Sequence, residues 1–204
     1  MFGVTINLET TTPTSEVQTQ TESQPQETGQ WKRFALDILE TIILAIVLYF
    51  GINAVSARVR VDGLSMSPTL KNGEYVLVSR LAYKTGAPER GDIIVFSFPM
   101  DTRQDLIKRV IGLPGETIRI QGGEVFVNGR KLQEPYIAQP PAYTGEWTVG
   151  EGQLFVLGDN RNDSKDSHQW GLLPIENVIG KALLIYWPPS DWKLVNHTQE
   201  VFVP

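Results

Sequence analysis

The pattern of apolar and polar positions changes character twice along the chain. From Thr41 to Ala57 every residue is uncharged and most are large and apolar (TIILAIVLYFGINAVSA), with Asp37 and Glu40 just ahead and Arg58 and Arg60 just behind. A helix lying in a membrane interface needs a charged face, and this run has none. Its length reaches the short end of what crosses a bilayer. The pattern predicts a transmembrane anchor over residues 31–57, opening at Trp31-Lys32-Arg33. Lys32 and Arg33 on one side balance Arg58 and Arg60 on the other, so the distribution of positive charge assigns no orientation. A leader cut after Val55-Ser56-Ala57 would share the pattern, but residues 1–30 precede the basic pair and favour an uncleaved anchor.

After the anchor, short β-rich runs alternate with Gly, Pro, Asn and Asp. They predict strands at Arg58–Val61, Tyr75–Ser79, Asp92–Phe98, Asp105–Ile111, Thr117–Gln121, Glu124–Val127, Gln153–Leu157 and Gly180–Tyr186. Asn128-Gly129 reads as a tight hairpin turn. No long amphipathic helix is predicted, so residues 58–204 form a mainly β domain, a sandwich or a partly closed barrel.

Residues 9–30 are almost entirely Thr, Ser, Gln, Glu and Pro, which cannot bury enough apolar surface to offset ordering; residues 1–30 are read as a disordered polar tail. This tail carries Glu9, Glu16, Glu22 and Glu27 and no Lys or Arg, so most of the net charge of −5 belongs to it. The near-neutral remainder argues against nucleic acid as a partner. With no cysteine and only His168 and His197, the chain has no disulfide, no cysteine nucleophile and neither a thiolate nor a three-histidine metal site.

Four clusters could carry chemistry. Gly63-Leu64-Ser65-Met66-Ser67-Pro68-Thr69-Leu70 leaves a strand through a glycine, and Ser67 reads as an N-cap with Pro68 as a first helical residue. Ser65 could point its hydroxyl into a cleft, although most serines in turns only cap them. In Leu106–Gly115, Lys108 shares a strand face with Leu106 and Val110, and Arg109 shares the other with Ile107 and Ile111. One cation must therefore lie against buried surface, and only lysine can lose its proton there. A neutral lysine can serve as the base for a serine nucleophile, whereas a lysine snorkelling from an edge strand is the plainer reading. Gly158–His168 is a polar loop after a core strand, offering Ser164 as a partner for an amine and Asp159 and Asp166 as partners for Arg109 or Arg161. Arg90-Gly91-Asp92 reads as a turn before a strand. A Ser65–His168–Asp166 triad has the right residue types, but nothing in the spacing aims His168 at Ser65.

Taken in order, the apolar anchor, Ser65–Leu70, Arg90–Phe96, Lys108–Gly115 and Gly158–Ser167 resemble bacterial type I signal peptidase, the membrane-bound Ser/Lys leader peptidases. The resemblance implies a single transmembrane helix followed by a β-rich catalytic domain of antiparallel sheets, with 121–150 as a small cap insertion. It implies Ser65 as nucleophile, Lys108 as general base and Ser164 as the serine that positions the amine. Asp159, Arg161 and Asp166 match the supporting polar network, with Arg109 as partner. Val61, Met66, Leu70 and Ile107 fall where shallow pockets take small residues before the cut. The implied partners are secretory preproteins with Ala-x-Ala sites and the lipid bilayer, with no metal or organic cofactor. The implied site is the plasma membrane, or a thylakoid membrane, with the N-terminus cytoplasmic and the catalytic domain on the outer face. Gly63 stands where some members carry a serine that completes the oxyanion hole, and His168 where many carry arginine. A self-cleaving Ser/Lys repressor and an inactive membrane-anchored binding domain are the competing readings; the anchor disfavours the first, and the Ser65–Lys108 pair the second.

Overall fold

The computed structural model describes residues 27–197 and 202. The chain divides into two compact units, 1–45 and 46–204. Helix α1, Glu27–Val55, runs from the first into the second. It starts one turn ahead of the expected Trp31, since extending a helix already formed costs little. The rest of the expected polar tail lies outside the described residues. Among those described, α1 is the one helix long and apolar enough to cross a membrane, and its apolar window is unburied by protein. Strand β1, Ser56–Arg60, follows directly, so the expected anchor boundary at Ala57 falls inside a strand.

The second unit is mainly β, as expected. Its further strands are β2 (Tyr75–Ser79), β3 (Ile93–Ser97), β4 (Asp105–Gly112), β5 (Thr117–Gln121), β6 (Glu124–Val127), β7 (Arg130–Lys131), β8 (Gly145–Thr148), β9 (Gln153–Leu157), β10 (Leu173–Pro174), β11 (Val178–Trp187) and β12 (Lys193–Leu194), with a one-turn helix α2 at Ser167–Trp170 between β9 and β10. The larger sheet has the order β1-β2-β11-β3-β4-β9-β10, with β12 added to β11. The smaller has the order β7-β6-β5-β8. Every pairing is antiparallel. Asn128 (φ 50°) and Gly129 (φ 79°) make the β6–β7 turn, both in the left-handed region that a two-residue hairpin requires.

The smaller sheet occupies Thr117–Thr148 and overlaps the 121–150 stretch. It shares an apolar core with the larger sheet, built from Ile111, Ile118, Ile120, Val125, Val127, Phe155 and Leu157. Gly112 marks the closest approach. A Cβ there would come within 2.7 Å of Ile118 and 2.9 Å of Phe155, so a side chain would push the two sheets apart.

Strand β4 lies in the interior of the larger sheet, between β3 and β9, and almost all of it is buried. Leu106 and Val110 pack with Ile94, Phe96, Leu154 and Val156 on one face. On the other face Ile107 joins one core cluster and Ile111 another. The question of which cation is buried has a plain answer: both are, Lys108 at 3% exposure and Arg109 at 0%.

Candidate active site

Ser65 sits in the turn that follows β1. Gly63 takes φ 100°, and its N–H donates to Asn72 Oδ1 at 2.9 Å. The chain then folds back, Ser67 N–H donating to Leu64 O at 3.0 Å and Leu70 N–H to Met66 O at 2.9 Å. The helix expected from Ser67 and Pro68 does not form. The turn stops because Lys71 N–H goes instead to Glu74 Oε2 (2.8 Å), and Gly73, at φ 87°, reverses the chain. Asn160 holds both carbonyls around the serine: its N–H donates to Ser65 O at 3.0 Å and its Nδ2 to Leu64 O at 3.2 Å. Among the described residues no acceptor takes the Ser65 N–H.

Lys108 reaches this turn from β4. Its Nζ lies 2.8 Å from Ser65 Oγ and 2.9 Å from Ile107 O. No carboxylate pairs with it among the described residues. Burial pushes its pKa down to about 8, against the opposing pull of Asp166 and then Asp159. A buried amine without a counter-ion sheds its proton more readily than one in water.

The polar loop after β9 frames the pair. Gly158 lies where a Cβ would collide with Ser164 Oγ and with Ser65 O, so only glycine lets the loop and the serine turn approach. Among the described residues, Ser164 Oγ is buried there without a hydrogen bond, and the Lys108 amine bonds only Ser65 and Ile107. Asp159 is fully buried. Arg109 grips it as a fork, Nε to Oδ1 at 2.8 Å and Nη2 to Oδ2 at 2.7 Å, and Thr69 Oγ1 donates to Oδ2 at 2.5 Å. Asp166 accepts the Gly158 N–H at 2.9 Å and pairs with His168 Nδ1 at 2.6 Å. His168 makes no hydrogen bond to Ser65, so the triad is not assembled.

Other partners came from segments that the sequence did not mark. Arg161 pairs with neither loop aspartate but forks onto Glu134 with two 2.7 Å bonds, and its Nε donates to Gly158 O at 3.0 Å. Tyr136 donates to Glu134 at 3.0 Å and lies under the Arg109 guanidinium, 4.0 Å from ring centroid to Cζ. Arg90 is more than a turn residue: it is buried and forked to Glu116. Asp92 beside it takes Tyr83 Oη at 2.7 Å and pairs with Lys181. The expected pocket residues Val61, Met66, Leu70 and Ile107 all fall in one core cluster, with Ile107 the most exposed at 9%. A cleft of about 280 Å³ against Pro68, Thr69, Leu70, Arg109 and Tyr136 is lined by neither Ser65 nor Lys108.

The model of the family described as "Signal peptidase, peptidase S26" matches residues 34–187. "Probable signal peptidase I-2" of Synechocystis sp. is 42% identical over 175 residues, covering 82% of this chain and 77% of that protein. "Signal peptidase I" of Leptolyngbya laminosa is 44% identical over 159 residues, covering 74% of this chain and 78% of that protein. Among solved structures, a signal peptidase I from Enterococcus faecalis V583 is 35% identical, with a TM-score of 0.44 over 47% of this chain and 97% of that one. This chain belongs to the signal peptidase family, peptidase S26, and is a peptidase of the type I class.

Proposed function

We propose that the protein removes signal peptides from secreted preproteins by a Ser65–Lys108 mechanism, cutting after small residues at Ala-x-Ala sites. The observation that carries this reading is a buried amine with no carboxylate partner among the described residues, 2.8 Å from a hydroxyl in a turn. Neutral Lys108 takes the Ser65 proton as Oγ attacks the scissile carbonyl. The Ser65 N–H, which has no acceptor among the described residues, receives the oxyanion. The ammonium returns its proton to the leaving amine, an acyl-enzyme remains, and Lys108 then activates water to release it. The Lys108–Ile107 bond holds the amine so that its lone pair can face Oγ. Ser164 Oγ, packed against Gly158 and unpaired among the described residues, is available as a second partner for the amine.

The substrate's cleavage region lies extended beside the Ser65 turn, where Val61, Met66, Leu70 and Ile107 bound shallow pockets that admit alanine and exclude larger side chains. Helix α1 anchors the chain in the plasma membrane, with the N-terminus cytoplasmic and the β domain on the outer face. The family resemblance supports this orientation where charge counting is neutral.

The test is cleavage of a preprotein with an Ala-x-Ala site by the detergent-solubilised chain, beside Ser65→Ala and Lys108→Ala. The expected result is cutting after the second alanine, lost in both variants. Cutting that survives Lys108→Ala overturns the assigned base. The base must be neutral to work, so kcat/KM has an acidic limb with its midpoint near the Lys108 pKa of about 8. Below that pH, activity falls roughly tenfold per unit.

A further inference from the structure

Two carboxylates act on Lys108, Asp166 and Asp159, and their counter-charges differ. Asp159 is answered by the Arg109 fork, a cation that never loses its proton. Among the described residues no Lys or Arg pairs with Asp166; its only ionisable partner is His168. The other charges around this loop are Glu134 and Arg161, which answer each other, and the loop's own Asp163 and Lys165; the Lys165 amine lies over the Phe98 ring, 5.0 Å from its centroid, and pairs with no carboxylate among the described residues. Tyr143, from the connection between β7 and β8, stacks flat on the His168 ring, with centroids 3.9 Å apart and planes at 10°. Burial, and then Asp166, raise the Tyr143 pKa, so it faces the pair as a neutral ring.

The geometry fixes the histidine closely. Asp166 Oδ1 is an acceptor, so His168 Nδ1 must carry the proton of the 2.6 Å bond. The other oxygen, Oδ2, holds the Gly158 N–H at 2.9 Å. Gly158 is the residue against which Ser65 O and Ser164 pack. One carboxylate therefore both shapes the floor of the site and projects charge onto the lysine, and one imidazole sets its position.

We propose that His168 is a positioning residue for the Lys108 base, acting through Asp166: it holds that carboxylate on the Gly158 N–H and sets how much of its negative charge reaches the amine. The proposal rests on the Ser65–Lys108 reading, which it deepens. A stronger cation at position 168 screens Asp166 and makes Lys108 easier to deprotonate; a neutral group leaves Asp166 unscreened and makes it harder.

The experiment compares His168→Arg, a permanent cation, with His168→Gln, a neutral donor, in the full-length detergent-solubilised chain. Two quantities are read. One is the pH dependence of Lys108 acylation by acetic anhydride, quantified by peptide mass spectrometry. The other is the acidic limb of kcat/KM on a preprotein. The expected Lys108 midpoint in the arginine variant lies about half a pH unit or more below that in the glutamine variant, roughly a threefold difference in neutral amine at pH 7. The kinetic limb moves with it. Equal midpoints, with activity lost alike in both variants, would reduce His168 to scaffolding and overturn the proposal. If the Lys108 midpoint moves and the kinetic limb does not follow, the relay stands and Lys108 is not the base. Folding of each variant is checked by its thermal midpoint. Tyr143→Phe keeps the stacked ring and is expected to leave both midpoints in place.

Discussion

Lys108 and Arg109 are successive residues of β4, both buried, on opposite faces of one strand. Arg109 has a full set of partners: the Asp159 fork, the Gly91 carbonyl at 2.9 Å and the Tyr136 ring. Lys108 has a hydroxyl and a carbonyl and, among the described residues, no paired counter-ion. Burial penalises charge in both cases. Where a carboxylate and a planar fork answer it, the charge persists and braces the structure. Where no carboxylate pairs with it and burial outweighs the pull of those farther off, the proton becomes easier to remove and the group becomes a base. The difference lies in the partners and in the chemistry of the two cations, since the depth of burial is nearly the same.

The sharpest way to break this comparison is to give position 108 the chemistry of position 109. Lys108→Arg keeps a long basic side chain but cannot supply a neutral amine. Cleavage of an Ala-x-Ala preprotein is expected to fall by roughly a thousandfold or more, comparable to losing the base altogether. An arginine variant within tenfold of wild type would mean that charge, rather than proton transfer, is what position 108 contributes.

The reverse operation removes the partner that Arg109 has. Asp159→Ala leaves a fully buried guanidinium without its carboxylate, which typically costs about 3–5 kcal/mol. Urea denaturation of the solubilised chain should show a loss of that order. A loss below about 1 kcal/mol would indicate that water reaches Arg109 after all.

The unanswered burial of Lys108 also has a stability cost with a definite pH window. The folded pKa is about 8 against an unfolded value of 10.5, so between those values the unfolded chain binds more protons. The Lys108 contribution to stability therefore rises as pH climbs from 8 to 10.5, and below 8 the folded state carries its full cost. Lys108→Met removes it. The variant, inactive, is expected to be more stable at pH 7 by up to roughly 3 kcal/mol, with that advantage gone above the unfolded pKa. Thermal midpoints at pH 7 and pH 11 check this.

The same pair of residues shows what could be read from the chain. Alternation gives each of them an apolar face, and β4 has the expected strand start and nearly the expected end. Alternation names faces but does not report what covers them, so the burial of both cations depends on β3, β9, the Ser65 turn and the Gly158 loop closing around the strand. Asp159 was legible as a partner because it lies in a polar loop after a core strand. Glu134 and Tyr136 were not, because they sit in an unremarkable stretch between two strands of the smaller sheet and gain a role only when that sheet packs on the loop. Strand β8, Gly145–Thr148, was missed for a related reason: its exposed and half-buried residues show little apolar alternation. Ser67-Pro68 read as a helix start from local preference alone, and the hydrogen bonds of Lys71 N–H to the nearby Glu74 and of Gly73 N–H back to Val61 O overrode it.

The smallest expected effect concerns the link between the two halves. Thr69 belongs to the Ser65 turn, yet its hydroxyl donates to Asp159, the partner of Arg109. Thr69→Val keeps the shape and removes that bond, leaving the Arg109 fork in place. A hydrogen bond to a charged group is worth about 1.5–3 kcal/mol, and the loss here should fall at the lower end because Asp159 keeps both guanidinium bonds. The turn becomes less firmly placed, so kcat/KM should drop several-fold. The charge of Asp159 is unchanged, however, and so is its pull on Lys108. The acidic limb should therefore keep its midpoint near 8 while its height falls. A limb that moved with Thr69→Val would show that the Arg109 side governs the lysine's proton through the turn, and that the two faces of β4 are one electrostatic unit rather than a brace and a base.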